Sequence, residues 1–284
     1  MSKIEDALNK AKSKQLSVIG AKVDSNAKEL VKADLTGIET IQHKTSASEI
    51  GLMEHGDLLE TTELSNMKII SSKMHDNTVA NTYRDLRTKL IQKCQGKNFV
   101  AMLTSTVDGD SSCFTTVNLA TAFAFDESKT SLIIDSNISN PQFEHCLEHR
   151  YEFGLTDYLE NDDISAQDVI QPTGIQRLKA IPAGQPREVA HEYFTSLRMR
   201  SLVSDLIGRY SDRYIFINSA PISESADSRI LCELCDFVIL VVPYGSSSQN
   251  KINEAVESIG EDKFAGIVFS DVPRVPSFRK RTKN

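Results

Sequence analysis

The chain has 284 residues, 40% of them hydrophobic and 25% charged, and carries a net charge of −7 at neutral pH. That length suits one large α/β domain or two smaller ones, and the acidic balance argues against broad nucleic-acid binding. No run approaches the roughly 18–20 apolar residues of a membrane helix, and the opening MSKIEDALNKAK lacks the apolar stretch of a secretory signal. Five cysteines at irregular spacing point to a reduced, cytoplasmic protein without a disulfide framework.

Ser2 followed by Glu5 has the spacing of a capping box, with Ile4, Leu8 and Ala11 on one helical face. Such a helix either docks a partner or packs on its own domain. Another helical turn is expected at Glu29–Lys32, and beyond it no periodicity lasts. Residues 1–76 are therefore predicted to be a short helix and a flexible tether. From Val79 the pattern changes. Helices are predicted over residues 82–92, 115–125, 192–210, 224–234 and 249–258. Strands are predicted over 98–105, 131–135, 176–181, 214–218, 237–242 and 264–269. Apolar strands alternating with helices imply an α/β fold, a mostly parallel sheet with helices on both faces. The domain is expected to span residues 77–273, with a basic tail over 274–284. Ligands of such sheets bind beyond the carboxyl ends of the strands.

The first strand runs into Thr104-Ser105-Thr106-Val107-Asp108-Gly109-Asp110-Ser111-Ser112-Cys113. Strand, small polar loop and helix start are the context of a phosphate-binding loop, which works through backbone N–H groups, a lysine and a hydroxyl on Mg²⁺. Here Ser112 stands at the lysine position and Cys113 at the hydroxyl position, with Asp108 and Asp110 placing negative charge beside the loop.

The order of motifs resembles the cytoplasmic domain of the bacterial tyrosine autokinases of capsule and exopolysaccharide synthesis, a MinD/ParA-like branch of the P-loop proteins. The resemblance rests on Tyr83-Arg84-Asp85-Leu86-Arg87-Thr88, Thr104-Ser105, Asn118-Leu119-Ala120, Leu132-Ile133-Ile134-Asp135-Ser136-Asn137, Gly154-Leu155-Thr156-Asp157-Tyr158-Leu159, Ile181-Pro182-Ala183-Gly184 and Tyr214-Ile215-Phe216-Ile217-Asn218-Ser219-Ala220-Pro221. Asp227, Asp236 and Val241-Val242 follow in register, so it covers about residues 80–272. The opening Ser2–Leu8 also resembles stand-alone members of the family. The resemblance implies a P-loop fold with a nucleotide site at Gly109, Ser111, Ser112, Cys113, Asp135, Asn137 and Asn218.

This sequence departs from the family at its chemistry. The P-loop lysine is Ser112, the Mg²⁺ hydroxyl is Cys113, and two carboxylates are Asn137 and Asn218. The glutamate of the family's oligomer motif is Asn81, although Arg84 and Arg87 remain; an asparagine facing the base is Ser270; and no tyrosine follows Tyr244. Phosphoryl transfer depends on positioning and charge neutralisation. The expectation is a pseudokinase with no catalytic residue, no metal site and at most weak binding of ATP and Mg²⁺. It would act in exopolysaccharide synthesis or export by binding a membrane co-polymerase or an active family kinase, at the inner membrane's cytoplasmic side. Arg84 and Arg87, three residues apart on one helix face, are the candidate partner contacts unless they are simply solvated. The rivals are a working tyrosine autokinase and a MinD/ParA-like positioning scaffold.

The remaining signals have plainer readings. Cys232 and Cys235 form a C-x-x-C inside a predicted helix with no second pair, which suits core thiols. His145, Cys146 and His149 lack a fourth zinc ligand. Ser111, Ser112 and Ser219 have no nearby histidine in sequence for a hydrolase triad. The tail cations Arg274, Arg279, Lys280, Arg281 and Lys283 suit a solvated end, attraction to an anionic leaflet, or a neighbouring subunit's tyrosine-tail site.

Overall fold

The structure, a computed structural model, describes residues 57–74, 78–187, 191–209 and 212–273. The helix expected near Ser2, the turn at Glu29–Lys32 and the basic tail lie outside them. Seven strands form one sheet: β1 Val100–Ser105, β2 Thr130–Asp135, β3 Gln171–Pro172, β4 Leu178–Ile181, β5 Arg213–Asn218, β6 Phe237–Pro243 and β7 Phe264–Ser270. Their order is β3-β4-β2-β5-β1-β6-β7, and every pairing is parallel except β3 with β4. The described helices are α1 Thr61–Asn66, α2 Thr78–Lys93, α3 Ser111–Ala124, α4 Phe143–Cys146, α5 Leu155–Glu160, α6 His191–Thr195, α7 Leu197–Arg209, α8 Ala226–Glu233 and α9 Gln249–Ile259. The expected α/β fold, a mostly parallel sheet covered on both faces, is present.

Strands β1, β2 and β5 are buried along their whole length, as parallel strands covered by crossover helices must be. Successive side chains point to opposite faces, so each strand feeds two cores. Met102, Ile134, Ile217 and Leu240 pack on one face, with α7, α8 and α9. Ala101, Ile133, Phe216 and Ile239 pack on the other, with α3. Helix α3 is buried on nearly all sides, which explains its apolar composition and lack of a polar face. Phe99 stands at the centre of an aromatic cluster, with ring centroids of Phe123, Tyr214, Phe216 and Phe237 at 5.4, 4.9, 5.9 and 4.9 Å.

Several boundaries differ from those read in sequence. The helix expected from residue 115 begins at Ser111, because the loop's last residue, Asp110, is already helical (φ −88°, ψ −10°). The single helix expected over 192–210 is broken at Ser196. The Ser196 hydroxyl donates to the Tyr193 carbonyl (2.6 Å) and accepts from the Met199 N–H (3.1 Å), ending α6 and capping α7.

The tether boundary at residue 76 also needs correction. Residues 57–74 pack on the domain, with Leu64, Ile69 and Ile70 buried. Their anchor is Asn118 on α3. Its Oδ1 accepts from the Ile70 N–H (2.8 Å), and its Nδ2 donates to the carbonyls of Phe114 (2.9 Å) and Lys68 (3.3 Å). The Leu59 N–H donates to the Gly174 carbonyl (2.8 Å). Three scattered apolar residues carry no helical or strand period, so this packing was invisible in sequence. Asn118→Ala leaves the buried Ile70 N–H unpaired, and is expected to cost about 1–2 kcal/mol. Urea unfolding, with proteolysis monitored across residues 57–74, checks it. No described helix is long and apolar enough to cross a membrane.

Candidate functional site

The carboxyl ends of β1, β2 and β5 lie side by side, and parallel register places Asp135 opposite Asn218 and Asn218 opposite Leu103. The loop after β1 brings the start of α3 over them. Folding thus joins Ser112, Asp135 and Asn218 from three segments, the widest separation being 106 residues. The Ser112 hydroxyl donates to Asn218 Oδ1 (2.8 Å), and Asn218 Nδ2 donates to Asp135 Oδ1 (2.8 Å). All three are buried, with Asp135 fully excluded from solvent. The Asn218 carbonyl accepts from both the N–H (2.8 Å) and the hydroxyl (2.7 Å) of Ser136. The chain Ser112–Asn218–Asp135 closes the positions that the resemblance assigns to a lysine and two metal-holding carboxylates.

Burial pushes the Asp135 carboxyl up from 3.8 to about 6, against the Asn218 amide and the N–H groups of Asn137 and Phe143, which lower it. Its Oδ2 completes no hydrogen bond among the described residues. Asn137 stays on its own loop. Its N–H points to Asp135 Oδ1 (3.3 Å), and its Oδ1 accepts from the Ser139 hydroxyl (3.4 Å). Cys113 lies in the core beside Cys146, and burial first, then that second thiol, pushes its pKa well up. A buried neutral thiol is a poor ligand for Mg²⁺, which takes oxygen.

The start of α3 is lined with carboxylates. Asp271 accepts from the Ser111 hydroxyl (2.9 Å) and from Ser270 (3.1 Å), and Asp108 accepts from Asn140 (2.9 Å). Asp110 precedes the first helical residue. Gly109 has φ +142°, the one loop position where a side chain would be strained. A helix N-terminus attracts anions, and this one has anions of its own around it. The side chains present therefore do not match a magnesium–nucleoside triphosphate. Ser112 stands at the position the resemblance gives to the lysine, and Asn137 and Asn218 stand at two positions it gives to carboxylates.

The arginine pair also makes contacts within the domain, while both side chains stay part-exposed. Arg87 donates to the Ala122 carbonyl (3.2 Å) and pairs with Asp126 (3.4 Å). Arg84 donates to Asn81 Oδ1 (2.8 Å) and the Met74 carbonyl (3.1 Å), and lies over the Phe125 ring. Both pin α2 to its surroundings. Tyr83, on the same helix, bonds to Thr115 of α3, and burial raises its pKa. The other candidates also have structural roles. His145 and His149 are exposed while Cys146 is buried. Cys232 and Cys235 belong to the core, with their pKa values raised mainly by burial. Sequence reasoning gave no role to Ser136, although it lies within the Asp135–Asn137 motif, and missed Asn140 and Asp271, which reach the site only through tertiary contact.

A strand–loop–helix unit at the carboxyl ends of a mostly parallel sheet defines a P-loop-like α/β protein. No family model matches the chain. It is 26% identical over 211 residues to the tyrosine-protein kinase CpsD of Streptococcus pneumoniae, covering 73% of this chain and 91% of that one. It is likewise 26% identical over 211 residues to the tyrosine-protein kinase YwqD of Bacillus subtilis (strain 168), covering 70% and 87%. Among solved structures it shares its fold with the chimerical protein CapA2B2 (TM-score 0.66, 21% identity, 82% of this chain and 100% of that chain). It shares it also with the kinase domain of the Escherichia coli tyrosine kinase ETK (TM-score 0.66, 18% identity, 82% and 94%). The chain is thus similar in sequence to bacterial tyrosine-protein kinases and shares the fold of tyrosine kinase domains.

Proposed function

We propose that this protein is a catalytically degenerate relative of the bacterial tyrosine autokinases. It regulates or scaffolds the synthesis and export of capsular or exopolysaccharide by binding a membrane co-polymerase, as the resemblance implies. The observation that carries this reading is the buried chain Ser112–Asn218–Asp135, in which the polar groups of the site bond to one another. Catalysis of phosphoryl transfer is almost entirely positioning and charge neutralisation. A site holding three carboxylates at its mouth and no lysine repels a polyanion instead. The protein keeps the fold on which a partner surface is built and lacks the cation that ATP requires.

Purified protein incubated with Mg²⁺ and ATP is expected to give no ATP-dependent phosphotyrosine signal. Calorimetry is expected to give a Kd for ATP weaker than about 10 μM, or roughly −7 kcal/mol. Ser112→Lys with Cys113→Ser is expected not to restore phosphorylation, since Asn137 and Asn218 still leave the metal without its carboxylates. A robust phosphotyrosine signal from the unmodified protein would overturn the reading. It would favour the second one, an active tyrosine kinase, which the names of the sequence relatives support.

A further inference from the structure

We propose that a cleft at the opposite end of α3 from the nucleotide-type loop binds a small amphipathic anion, an apolar body carrying one carboxylate. The cleft, about 650 Å³, lies between residues 58–73 and the carboxyl end of α3, and its size is that of small-ligand sites. Helix α3 has 14 residues, about 20 Å at 1.5 Å per residue, so the cleft is independent of Ser112 and its partners. Leu58, Leu64, Ile70, Phe125 and Ile175 form its apolar walls, and Leu58 is left 52% exposed on its rim.

Its polar groups point to an anion. Lys73 and Arg177 line the cleft, and neither forms an ion pair among the described residues. Arg177 is held in place by its Nε, which donates to the Ala124 carbonyl (2.8 Å). The one acidic lining residue, Glu60, accepts from the Thr62 hydroxyl (3.5 Å) and forms no ion pair with either cation among the described residues. Ser71 also lines the cleft. It is 6% exposed, and its buried Oγ has no hydrogen-bond partner among the described residues. Buried hydroxyls are nearly always bonded, since leaving one unpaired is costly. A ligand carboxylate pairs with the Lys73 ammonium and, with Ser71 rotated to turn its hydroxyl toward the cleft, accepts from that hydroxyl too, while the apolar walls take its hydrocarbon.

The test is calorimetric titration of the full chain with octanoate, with octan-1-ol and octylammonium as neutral and cationic controls. Saturable binding of octanoate is expected at a Kd of about 100 μM or tighter, reasonable for ten heavy atoms in such a cleft. The two controls are expected to bind at least about tenfold more weakly. Lys73→Glu and Leu58→Glu, both at exposed positions, are each expected to weaken octanoate about tenfold or more without lowering Tm. Ser71→Ala is expected to weaken it about threefold while leaving the ligand-free Tm unchanged or higher. No saturable binding overturns the proposal. So does octan-1-ol binding as well as octanoate, or octanoate binding unchanged by Lys73→Glu.

Discussion

Asn218→Asp is expected to destabilise the protein by about 3 kcal/mol at pH 8 and by much less at pH 5, because two buried carboxyls cannot both ionise. Asn218 Nδ2 donates to Asp135 Oδ1 at 2.8 Å, and Asn218 is 1% exposed. The substitution turns that donor into a second oxygen facing the first. The pair then shares one proton, and its folded pKa rises above that of the unfolded chain. Stability is intact below the unfolded carboxylate range and is lost as pH rises through the folded value. Thermal or urea unfolding at the two pH values reads the difference. Ser112→Lys added to Asn218→Asp is expected to recover part of the loss, since Ser112 already touches Asn218 at 2.8 Å and an ammonium there neutralises the pair. A double-mutant cycle gives that coupling. A variant equally stable at pH 5 and pH 8 would show that the two side chains do not meet as described.

Asp135→Asn is expected to do the reverse, stabilising the protein above pH 6 and having no effect near pH 4. Burial raises the Asp135 carboxyl from 3.8 to about 6, so the folded protein keeps a proton that the unfolded chain releases. Its contribution is present in full below about pH 4, falls between about pH 4 and 6 and stays low above, a loss of about 3 kcal/mol. The isosteric amide carries no such loss, and its carbonyl still accepts from Asn218. Because Asp135 Oδ2 completes no hydrogen bond among the described residues, the new NH₂ gains little, and the net gain at pH 8 is expected to be about 2 kcal/mol. Denaturant midpoints across pH 4–8 provide the measurement. A destabilised variant at pH 8 would mean that the ionised carboxylate is stabilised in the fold, as by a cation, rather than penalised by burial.

Much of this protein was determined by local sequence. The apolar runs NFVAMLTS, SLIID, YIFIN, FVILVV and FAGIVF are strands because β-rich segments bounded by polar turns have few alternatives, and the helices between them force a parallel sheet. Parallel strands align their carboxyl ends, so the place of the site followed from the order of elements. That Ser112, Asn137 and Asn218 stand where the resemblance places a lysine and two carboxylates was likewise legible in residue identities alone.

Tertiary structure decided what those substitutions became. Nothing local indicates that the Ser112 hydroxyl reaches Asn218, 106 residues away, or that Asn218 reaches Asp135, 83 residues away. The same limit applies to Asp271 at the head of α3 and to Arg87, whose apparent freedom in sequence ends in an ion pair with Asp126. Residues 57–74 make the point most plainly. They have no periodicity, and they are ordered by Asn118 and Gly174. A hydrogen bond between distant segments depends on the whole sheet being formed first, whereas strand and helix patterns depend on neighbours a few residues away. Local pattern therefore carried the fold, and long-range contact carried the state of the site.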